Sequence, residues 1–504
     1  MRTDRVIRIH EKDNVAVALQ ELQPGEMLTC KTTKVTVSQK IPFGHKIALA
    51  DLKEGENVIK YGHPIGHTTT DIHMGEHIHT HNLKTNLGEL LTYEYHPDKP
   101  LLENYHRSRA ERADMAQFLG YERPDGRVGI RNEVWIVPTV GCVDMTVKRL
   151  EEEAAKRFGD RVDGIHAFTH NMGCSQLAED HLRTQKLLSG IIRNPNAGAV
   201  LVVSLGCENN DLESFIPVLG KTDPDRVRFM VAQDEEDEIG AGIELLDQLT
   251  RYAGTFRRTP VNADKLVVGF KCGGSDAFSG ITANALCGKI NDKIIRMGGS
   301  TVLTEVPEMF GAESLLMDRA VSEEVFEKIV KLINDFKSYF IKYGQTIYEN
   351  PSPGNKKGGI STLEDKSLGC VQKGGSAPVT DVLDYGEQVS ESGLNLLIGP
   401  GNDQVSCTNL VASGVQLIVF TTGRGNPFGS PVPTVKVASN PVLARKKQNW
   451  IDYDAGKMLE GNRTENVPEG FFQYILDVAS GKIQTKNEQN GYREISIFRD
   501  GVIL

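Results

Sequence analysis

The stretch AVLVVSLGC, residues 199–207, decides the fold class. Six of its first seven residues are apolar, and an unbroken apolar run is typical of a strand covered on both faces of a sheet. Amphipathic segments of helix length, at 144–157 and 175–192, alternate with such runs, which predicts βαβ units and an α/β fold with mostly parallel sheets. The other predicted strands of this kind are 134–140, 165–170, 227–232, 266–270, 394–400 and 415–421.

The chain before residue 96 has a different texture. Short β-type runs at 6–10, 35–39, 46–52 and 57–62 are separated by the turn sequences QPGE, PFGH and KEGE, which predicts a small β-rich domain. The predicted organisation is this β domain (1–95), a linker (96–110), an α/β catalytic domain (111–350) and a C-terminal α/β domain that contributes to the active site (351–504).

Residues 351–380 are rich in glycine, proline, lysine and serine. One interpretation makes them a linker between the two larger units. The strands predicted at 394–421 favour an ordered loop inside or beside an active site, and the sequence leaves both interpretations open.

Composition excludes several classes of protein. The 504 residues carry a formal charge of −10, so no global basic footprint for nucleic acid is present. No apolar run approaches the roughly 18 residues that span a bilayer, and the first residues lack the apolar core of a signal peptide. Eight cysteines are too few for a disulfide scaffold. We therefore expect a cytoplasmic enzyme with reduced thiols.

Four cysteines stand where a predicted strand gives way to a loop or helix. They are Cys142, Cys174, Cys207 and Cys272, each next to glycine. Ligands of open α/β sheets bind outside the carboxyl ends of the strands, and a helix N-terminus favours the thiolate. We expect at least two of them to share a site, whereas Cys30, Cys287, Cys370 and Cys407 follow no such pattern and are interpreted as core or loop thiols.

Histidines are confined to the first part of the chain, and none follows His181. In GEHIHTHN (75–82), His77, His79 and His81 are two residues apart, so on a strand their imidazoles would share one face. Neutral imidazole is the commonest protein metal ligand. The alternative interpretation is a solvated strand face.

Two glycine-rich loops offer groups for an anionic ligand. KCGGSDAFSG (271–280) carries Ser275 and Asp276 ahead of a predicted helix, where backbone N–H groups bind anions. Arg424 follows a predicted strand, and its forked donors suit a carboxylate. Neither loop matches a nucleotide-binding fingerprint, which argues against a dehydrogenase.

Long motifs along the whole chain resemble those of the altronate/galactarate dehydratase family, within it the altronate branch. They are GEHIHTHN, RPDGRVGIRNEVWIVPTVGCV, HNMGCSQL, LGCENN, KCGGSDAFSGITAN, TVLTEVPEMFGAE, NPSPGNKKGGISTLEDKSLGC and FTTGRGNPFG. The resemblance implies an N-terminal SAF-type domain and dehydration of D-altronate to 2-dehydro-3-deoxy-D-gluconate in hexuronate (galacturonate) catabolism, with Fe²⁺, or Mn²⁺ in its place, as cofactor.

This resemblance organises the candidate residues into one hypothetical site. A metal ion would lie near Cys142, Cys174 and Cys207, with His77, His79 and His81 closing over it. His45 and His170 would transfer protons, while Cys272, Ser275, Asp276 and Arg424 would hold the substrate. One alternative for the cofactor stays open. It is an iron–sulfur cluster on Cys142, Cys174 and Cys207, because cluster iron is held by cysteine.

The sequence alone also allows two other functions. One is a dehydratase or sulfo-lyase for another hydroxy acid, and the other is a binding or regulatory protein for sugar acids, which the histidine and cysteine placement disfavours. The expected partner is a small sugar acid, without nucleic acid or membrane, and a homo-oligomer is possible.

Overall fold

A computed structural model describes residues 5–88, 90–110, 115–459 and 466–504. The first region is the predicted β domain, in which short strands are separated by tight turns. Three antiparallel sheets form it, in the strand orders β1-β2-β5-β8, β3-β4 and β6-β7-β9. The strands are β1 (Val6–Ile7), β2 (Val15–Ala18), β3 (Met27–Cys30), β4 (Thr33–Thr36), β5 (Lys46–Ala48), β6 (Asn57–Lys60), β7 (His63–Thr68), β8 (His77–Ile78) and β9 (Leu83–Lys84).

The predicted linker 96–110 contains a helix, α1 (Lys99–Ala110). The predicted start of the next unit at residue 111 lies outside the described residues. Two sheets follow, a three-stranded antiparallel one in the order β11-β10-β16 and a four-stranded parallel one in the order β13-β12-β14-β15. The elements are β10 (Gln117–Glu122), β11 (Val128–Gly129), β12 (Glu133–Pro138), α2 (Asp144–Phe158), β13 (Gly164–Ala167), α3 (Ala178–Arg193), β14 (Ala197–Ser204), α4 (Leu212–Leu219), β15 (Val227–Val231), α5 (Glu238–Ala253) and β16 (Arg258–Asn262).

The third region is built on a seven-stranded parallel sheet in the order β19-β20-β18-β17-β21-β22-β23. Its elements are β17 (Val267–Cys272), α6 (Ala283–Arg296), β18 (Ser300–Leu303), α7 (Ser314–Met317), α8 (Glu323–Lys342), α9 (Pro353–Lys357), α10 (Leu363–Cys370), β19 (Val379–Leu383), β20 (Leu394–Leu397), α11 (Asp403–Ala412), β21 (Leu417–Thr422), β22 (Thr434–Ala438), α12 (Pro441–Lys446), β23 (Tyr453–Asp454), α13 (Val467–Ala479) and α14 (Lys486–Gln489).

The predicted α/β class with mostly parallel sheets is confirmed, and so are its apolar strands. Every residue of β14 is buried, as expected for a strand covered on both faces. The predicted boundary at residue 350 falls inside the seven-stranded sheet, because β17 and β18 pair with strands from beyond it. Residues 351–380 are ordered and contain α9 and α10. Among the described residues, no helix combines the length and apolarity needed to cross a membrane.

A buried ion triad fixes the N-terminal β domain on the third region. Asp365 of α10 lies 2.8 Å from the Nζ atoms of both Lys46 and Lys60, and all three side chains are almost completely inaccessible. Lys46 Nζ also donates to the carbonyl of Gly359 at 2.9 Å. Charges are buried only when they are paired and hydrogen-bonded, so this triad dictates how the two regions meet.

We expect Asp365→Asn to destabilise the protein by about 3–5 kcal/mol, because it leaves two ammonium groups buried without a counter-ion. The substitution keeps the side-chain volume, and the free energy of unfolding measured by chemical denaturation tests it. The matched control is Asp71→Asn, which breaks an exposed pair with Lys53 of the same 2.8 Å length and should change stability little. Equal losses in the two variants would contradict the role of the triad.

Candidate active site

Three histidines of the N-terminal domain converge. β5 pairs antiparallel with β8, which brings His45, just before β5, next to His77 at the start of β8. His45 Nδ1 lies 3.0 Å from His77 Nε2, and the His45 and His79 ring centroids are 4.6 Å apart. One donor atom from each of these three imidazoles lies within 4.8 Å of the others. This spacing lets them share one metal ion.

The predicted trio of His77, His79 and His81 is therefore only partly assembled. The strand ends at Ile78, so strict alternation stops before it reaches His81. The exposed His81 ring lies 5.2 Å from the His77 ring, while His45 completes the compact set. The pairing of β5 with β8 is a long-range contact, which the spacing of histidines within one motif could not predict.

The histidine cluster (His45, His77 and His79) faces the segment between α9 and α10. His45 Nε2 is 3.4 Å from the carbonyl oxygen of Lys357, and His79 Nδ1 is 3.5 Å from Ser361 Oγ. Gly359 makes this approach possible, since a Cβ there would lie 2.4 Å from the carbonyl oxygen of Gly44 and its φ is +96°. The cluster thus sits at the junction of the two regions.

Burial keeps these imidazoles neutral. It lowers the pKa of His77 to about 3, with help from the neighbouring His45, His81 and Lys46. It likewise lowers the pKa of His79 to about 3, assisted by Lys46, His45 and His77, and the pKa of His45 is lowered mainly by burial as well. A neutral imidazole has a free lone pair, so the cluster is ready to bind a cation at neutral pH.

A cavity of about 510 Å³ is lined in part by the same stretch of chain, at Ser352, Asn355 and Lys366. It lies at the carboxyl ends of β17 and β20, where ligands of open α/β sheets bind. Its walls are polar and can hydrogen-bond a polyhydroxylated ligand. The lining residues are Cys272, Gly273, Gly274, Glu308, Glu349, Asn350, Ser352, Asn355, Lys366, Gly401, Asn402 and Asp403.

Lys366 is the cation in the wall of this cavity. Its Nζ lies 2.9 Å from Glu308 Oε1 and donates to Asn350 Oδ1 at 3.0 Å and Asn355 Oδ1 at 3.3 Å. Although burial opposes it, the charge of Glu308 raises the pKa of Lys366. Lys366 in turn holds the pKa of Glu308 well below its usual range, again against burial. Both groups are therefore charged.

The predicted substrate-binding residues have different surroundings. Cys272 lines the cavity. The exposed Arg424 contacts a residue of the lining, because its backbone N–H donates to the Gly274 carbonyl at 3.1 Å, and its Nε would lie 3.7 Å from a Cβ at Gly354. Ser275 and Asp276 are buried beside it. Asp276 accepts hydrogen bonds from Ser439 Oγ at 2.8 Å and from Asn440 Nδ2 at 3.0 Å, so this side chain fixes the loop.

Loops carrying Cys142, Cys174 and Cys207 meet at the carboxyl edge of the four-stranded sheet. The Gly141 N–H donates to the Met172 carbonyl, and the Asn210 N–H donates to the Gly173 carbonyl, both at 3.0 Å. All three thiols are exposed and free. Within the described chain they are not among the donor sets that lie within 4.8 Å. The predicted placement at strand ends holds, but the histidine cluster contacts residues 357–361 rather than these loops.

His170 has a structural environment. Its Nε2 donates to the Pro138 carbonyl at 2.9 Å, and its Nδ1 accepts from the Met172 N–H at 3.2 Å. Burial lowers the pKa of His170 to about 4. Because both ring nitrogens are engaged within the loop beside β12, the geometry favours a structural role for His170 over the predicted proton transfer.

Several ionisable residues of the cavity, of its base and of the junction with the N-terminal domain were missed by the sequence reasoning. The sequence did contain a sign of several of them. Lys271 interrupts the apolar run LVVGFKC, and charged residues are frequent in the motifs TVLTEVPEMFGAE and NPSPGNKKGGISTLEDKSLGC. A charged residue inside a buried strand needs a buried partner. The missed residues are Lys46, Lys60, Lys271, Glu305, Glu308, Asp365, Lys366, Cys370 and Lys373.

Comparison with known proteins identifies the family. The chain matches the family descriptions altronate/galactarate dehydratase SAF domain (residues 4–86), D-galactarate dehydratase/altronate hydrolase second domain (120–254) and D-galactarate/altronate dehydratase C-terminal (263–503). It is 50% identical to altronate dehydratase of Escherichia coli over 500 residues and to that of Bacillus subtilis over 503, covering 99% of each chain in both pairs.

Galactarate dehydratase (L-threo-forming) of Escherichia coli is 34% identical over 530 residues, with 98% of this chain and 96% of that protein covered.

We expect the metal-free protein to lose stability as pH falls from about 6.5 towards 3. Over that range His77 and His79 bind protons in the unfolded chain but resist them in the folded one, so the unfolded state gains protons and the free energy of unfolding decreases. Denaturation measured across this range should show a shallower slope in His77→Asn/His79→Asn. His73→Asn, in an exposed turn, is the control, and equal slopes in all three proteins would refute the assignment.

The matched regions span all three parts of the fold, and the relatives are similar over nearly their whole length. The chain therefore belongs to the altronate/galactarate dehydratase family and is a hydro-lyase that dehydrates a sugar acid.

Proposed function

We propose that the protein dehydrates D-altronate to 2-dehydro-3-deoxy-D-gluconate and water, as a step of hexuronate (galacturonate) catabolism. The 50% identity to two altronate dehydratases supports this substrate. One structural observation carries the proposal: the segment 352–366, which contacts a cluster of three neutral imidazoles, also lines a polar cavity. A cytoplasmic location, a homo-oligomeric state and the absence of nucleic-acid or membrane partners stay predictions.

The histidine cluster fits a divalent cation. Its three nitrogen donors lie within 4.8 Å of one another, and the imidazoles are neutral at neutral pH. Such donors suit Fe²⁺, and we propose that Mn²⁺ can replace it. When bound, such an ion supplies Lewis-acid stabilisation of negative charge on the substrate. We assign His45 to this set rather than to proton transfer, because its Nδ1 faces His77 and its Nε2 faces the Lys357 carbonyl.

The cavity residues supply binding and charge stabilisation. Dehydration needs a general base that accepts the C2 proton, which leaves negative charge on the adjacent carboxylate, and a general acid that protonates the C3 hydroxyl so that it leaves as water. Arg424 is placed to hold the carboxylate by charge-assisted hydrogen bonds. Lys366 is held as an ammonium, so it stabilises developing charge and can donate a proton. Asn350 and Asn402 line the cavity and offer amide partners to the remaining hydroxyls, and the enol product then tautomerises to the 2-oxo-3-deoxy acid.

The alternative cofactor is an iron–sulfur cluster on Cys142, Cys174 and Cys207. Its support is chemical, since three exposed thiols stand on loops that hydrogen-bond to one another and cluster iron prefers thiolate. The histidine cluster is the stronger candidate for the catalytic ion because the segment that it contacts at Lys357 and Ser361 also lines the cavity, with Ser352, Asn355 and Lys366.

The first experiment measures 2-oxo acid formation from D-altronate by anaerobically purified protein, before and after chelation and with Fe²⁺ or Mn²⁺ added back. We expect metal-dependent product in the wild type. His79→Asn should lose both bound metal and turnover, whereas His73→Asn should retain both. Full metal content and full activity in His79→Asn would exclude the histidine cluster as the catalytic ion site.

Two further measurements distinguish the alternative cofactor and the alternative substrates. Broad visible absorption that disappears in Cys207→Ala together with activity would favour the iron–sulfur cluster, because thiolate-bound iron absorbs there and nitrogen-bound ferrous iron hardly does. Metal-dependent activity on galactarate or another hydroxy acid, with none on D-altronate, would contradict the substrate assignment alone. A panel of aldonates and aldarates therefore accompanies the first assay.

We expect Arg424→Met to raise KM for the sugar acid about 10- to 100-fold, the effect of losing a hydrogen bond to a charged group. A smaller effect on kcat is expected if Arg424 binds the carboxylate equally in substrate and transition state. Steady-state kinetics measures both constants. Arg445→Met, which alters an exposed arginine on α12, is the control, and an unchanged KM in Arg424→Met would refute the role.

A further inference from the structure

A second donor set lies buried at the base of the cavity. Cys272 Sγ is 3.5 Å from Cys370 Sγ, and the two sulfurs lie 3.1 Å and 3.0 Å from Glu308 Oε2. Cys272 ends β17, Cys370 ends α10, and Glu308 lies in a helical turn after β18. Three distant parts of the chain thus place two thiols and a carboxylate within 4.8 Å of one another; we name this set the thiol–carboxylate cluster.

The spacing of these donors suits a tetrahedral metal ion. Metal–sulfur bonds of about 2.3 Å and metal–oxygen bonds of about 2.1 Å place ligand atoms roughly 3.5–3.8 Å apart in a tetrahedral site. The observed sulfur–sulfur and sulfur–oxygen separations are shorter by up to about half an ångström than these bond lengths give, so an outward movement of the side chains by that amount would admit the ion. Sulfur ligands select soft cations such as Zn²⁺ and Fe²⁺.

Surrounding charges balance such an ion. Lys271 forms ion pairs with Glu305 and with Asp403, Lys373 with Glu305, and Lys366 with Glu308. Three ammonium groups therefore match three carboxylates. Binding of a divalent cation with release of both thiol protons adds two positive and two negative charges, so the net charge of the buried cluster does not change. The lysines stabilise the thiolates instead of excluding the cation.

Lys373 gives an independent indication that thiolates belong here. Its Nζ is buried and, among the described residues, has no hydrogen-bond partner with good geometry; Glu305 Oε2 lies 3.2 Å away. A thiolate at Cys272 or Cys370 would raise the pKa of Lys373, although burial opposes it. A buried ammonium requires acceptors, and ligated thiolates would supply them.

The cavity leaves one coordination position open. Cys272 and Glu308 line the cavity wall, together with Lys366, while Cys370 closes the set from the buried side. Structural zinc sites have four protein ligands, whereas catalytic ones have three and keep the fourth position for water or substrate. The thiol–carboxylate cluster has the second arrangement.

We propose that Cys272, Glu308 and Cys370 bind a soft divalent cation, Zn²⁺ or Fe²⁺, whose fourth position faces the cavity. This site is distinct from the histidine cluster and from the exposed thiols of Cys142, Cys174 and Cys207. The proposal does not rest on the substrate or on turnover, so it can fail while the proposed dehydration stands, and the reverse.

The test is a titration of reduced, metal-free protein with Co²⁺ under anaerobic conditions. We expect a thiolate-to-cobalt charge-transfer band and the strong visible bands of tetrahedral cobalt, at one ion per chain. Cys272→Ala and Cys370→Ala should abolish the band. Cys407→Ala, which removes a buried thiol outside the cluster, should keep it, and so should His79→Asn and the triple variant Cys142→Ala/Cys174→Ala/Cys207→Ala.

The wild type provides a second readout that needs no substitution. Ligation of two neutral thiols releases two protons, so the apparent association constant should fall about 100-fold for each unit of decreasing pH. Binding to the neutral histidine cluster releases essentially none. Absence of the charge-transfer band in the wild type, its persistence in both Cys272→Ala and Cys370→Ala, or its loss in the triple variant would each overturn the proposal. Thermal melts of the variants confirm that they are folded.

Discussion

The buried pairing of Asp365 with Lys46 and Lys60 is the constraint on which the rest of the site depends. Both lysines come from the N-terminal domain, and the carboxylate comes from α10. Ions this deeply buried require a fixed partner geometry, so the domain can dock in one orientation only. That orientation places His45 and His79 against residues 357–361 and brings glycine backbones together at Gly44 and Gly359.

Helix α10 contributes one residue to each of three parts of the site. All eight of its residues are buried. Asp365 faces the N-terminal domain, Lys366 faces the cavity, and Cys370 closes the thiol–carboxylate cluster. A helix buried on every side shows no amphipathic period, so hydrophobic patterning could not reveal it. Its chemistry was visible only as the unusual charge density of LEDKSLGC.

Strands and helices of the parallel sheets were predictable because their signal is local. The apolar runs at 199–205 and 415–421 became β14 and β21, and the amphipathic segments at 144–157 and 175–192 became α2 and α3. The assignment of strands to two separate parallel sheets was not predictable, since strand order depends on long-range pairing. The sequence analysis predicted one crevice, but the structure has two. Cys142, Cys174 and Cys207 lie at the edge of the four-stranded sheet, whereas Cys272 and the cavity lie at the edge of the seven-stranded sheet.

Long-range pairing also explains which site residues the sequence could identify. His77 and His79 were recognisable from their spacing, but His45 joins them only through the pairing of β5 with β8. Cys370 had no local signature and was interpreted as a core thiol, yet it lies 3.5 Å from Cys272. The difference is physical: spacing within a motif reports which side chains share a face, whereas convergence of distant motifs is set by the docking of whole elements.

The two donor sets differ in the chemistry that they can support. The histidine cluster offers neutral nitrogen donors beside Lys46, whose buried charge helps to keep the imidazoles unprotonated. The thiol–carboxylate cluster offers sulfur and oxygen donors, and it must lose protons before it can bind an ion. Imidazole nitrogen and thiolate sulfur both bind borderline cations such as Fe²⁺ and Zn²⁺, so proton release distinguishes the two sets better than the choice of ion does. The segment 352–366 connects the two sets, because its Lys357 and Ser361 contact the histidines and its Ser352, Asn355 and Lys366 line the cavity.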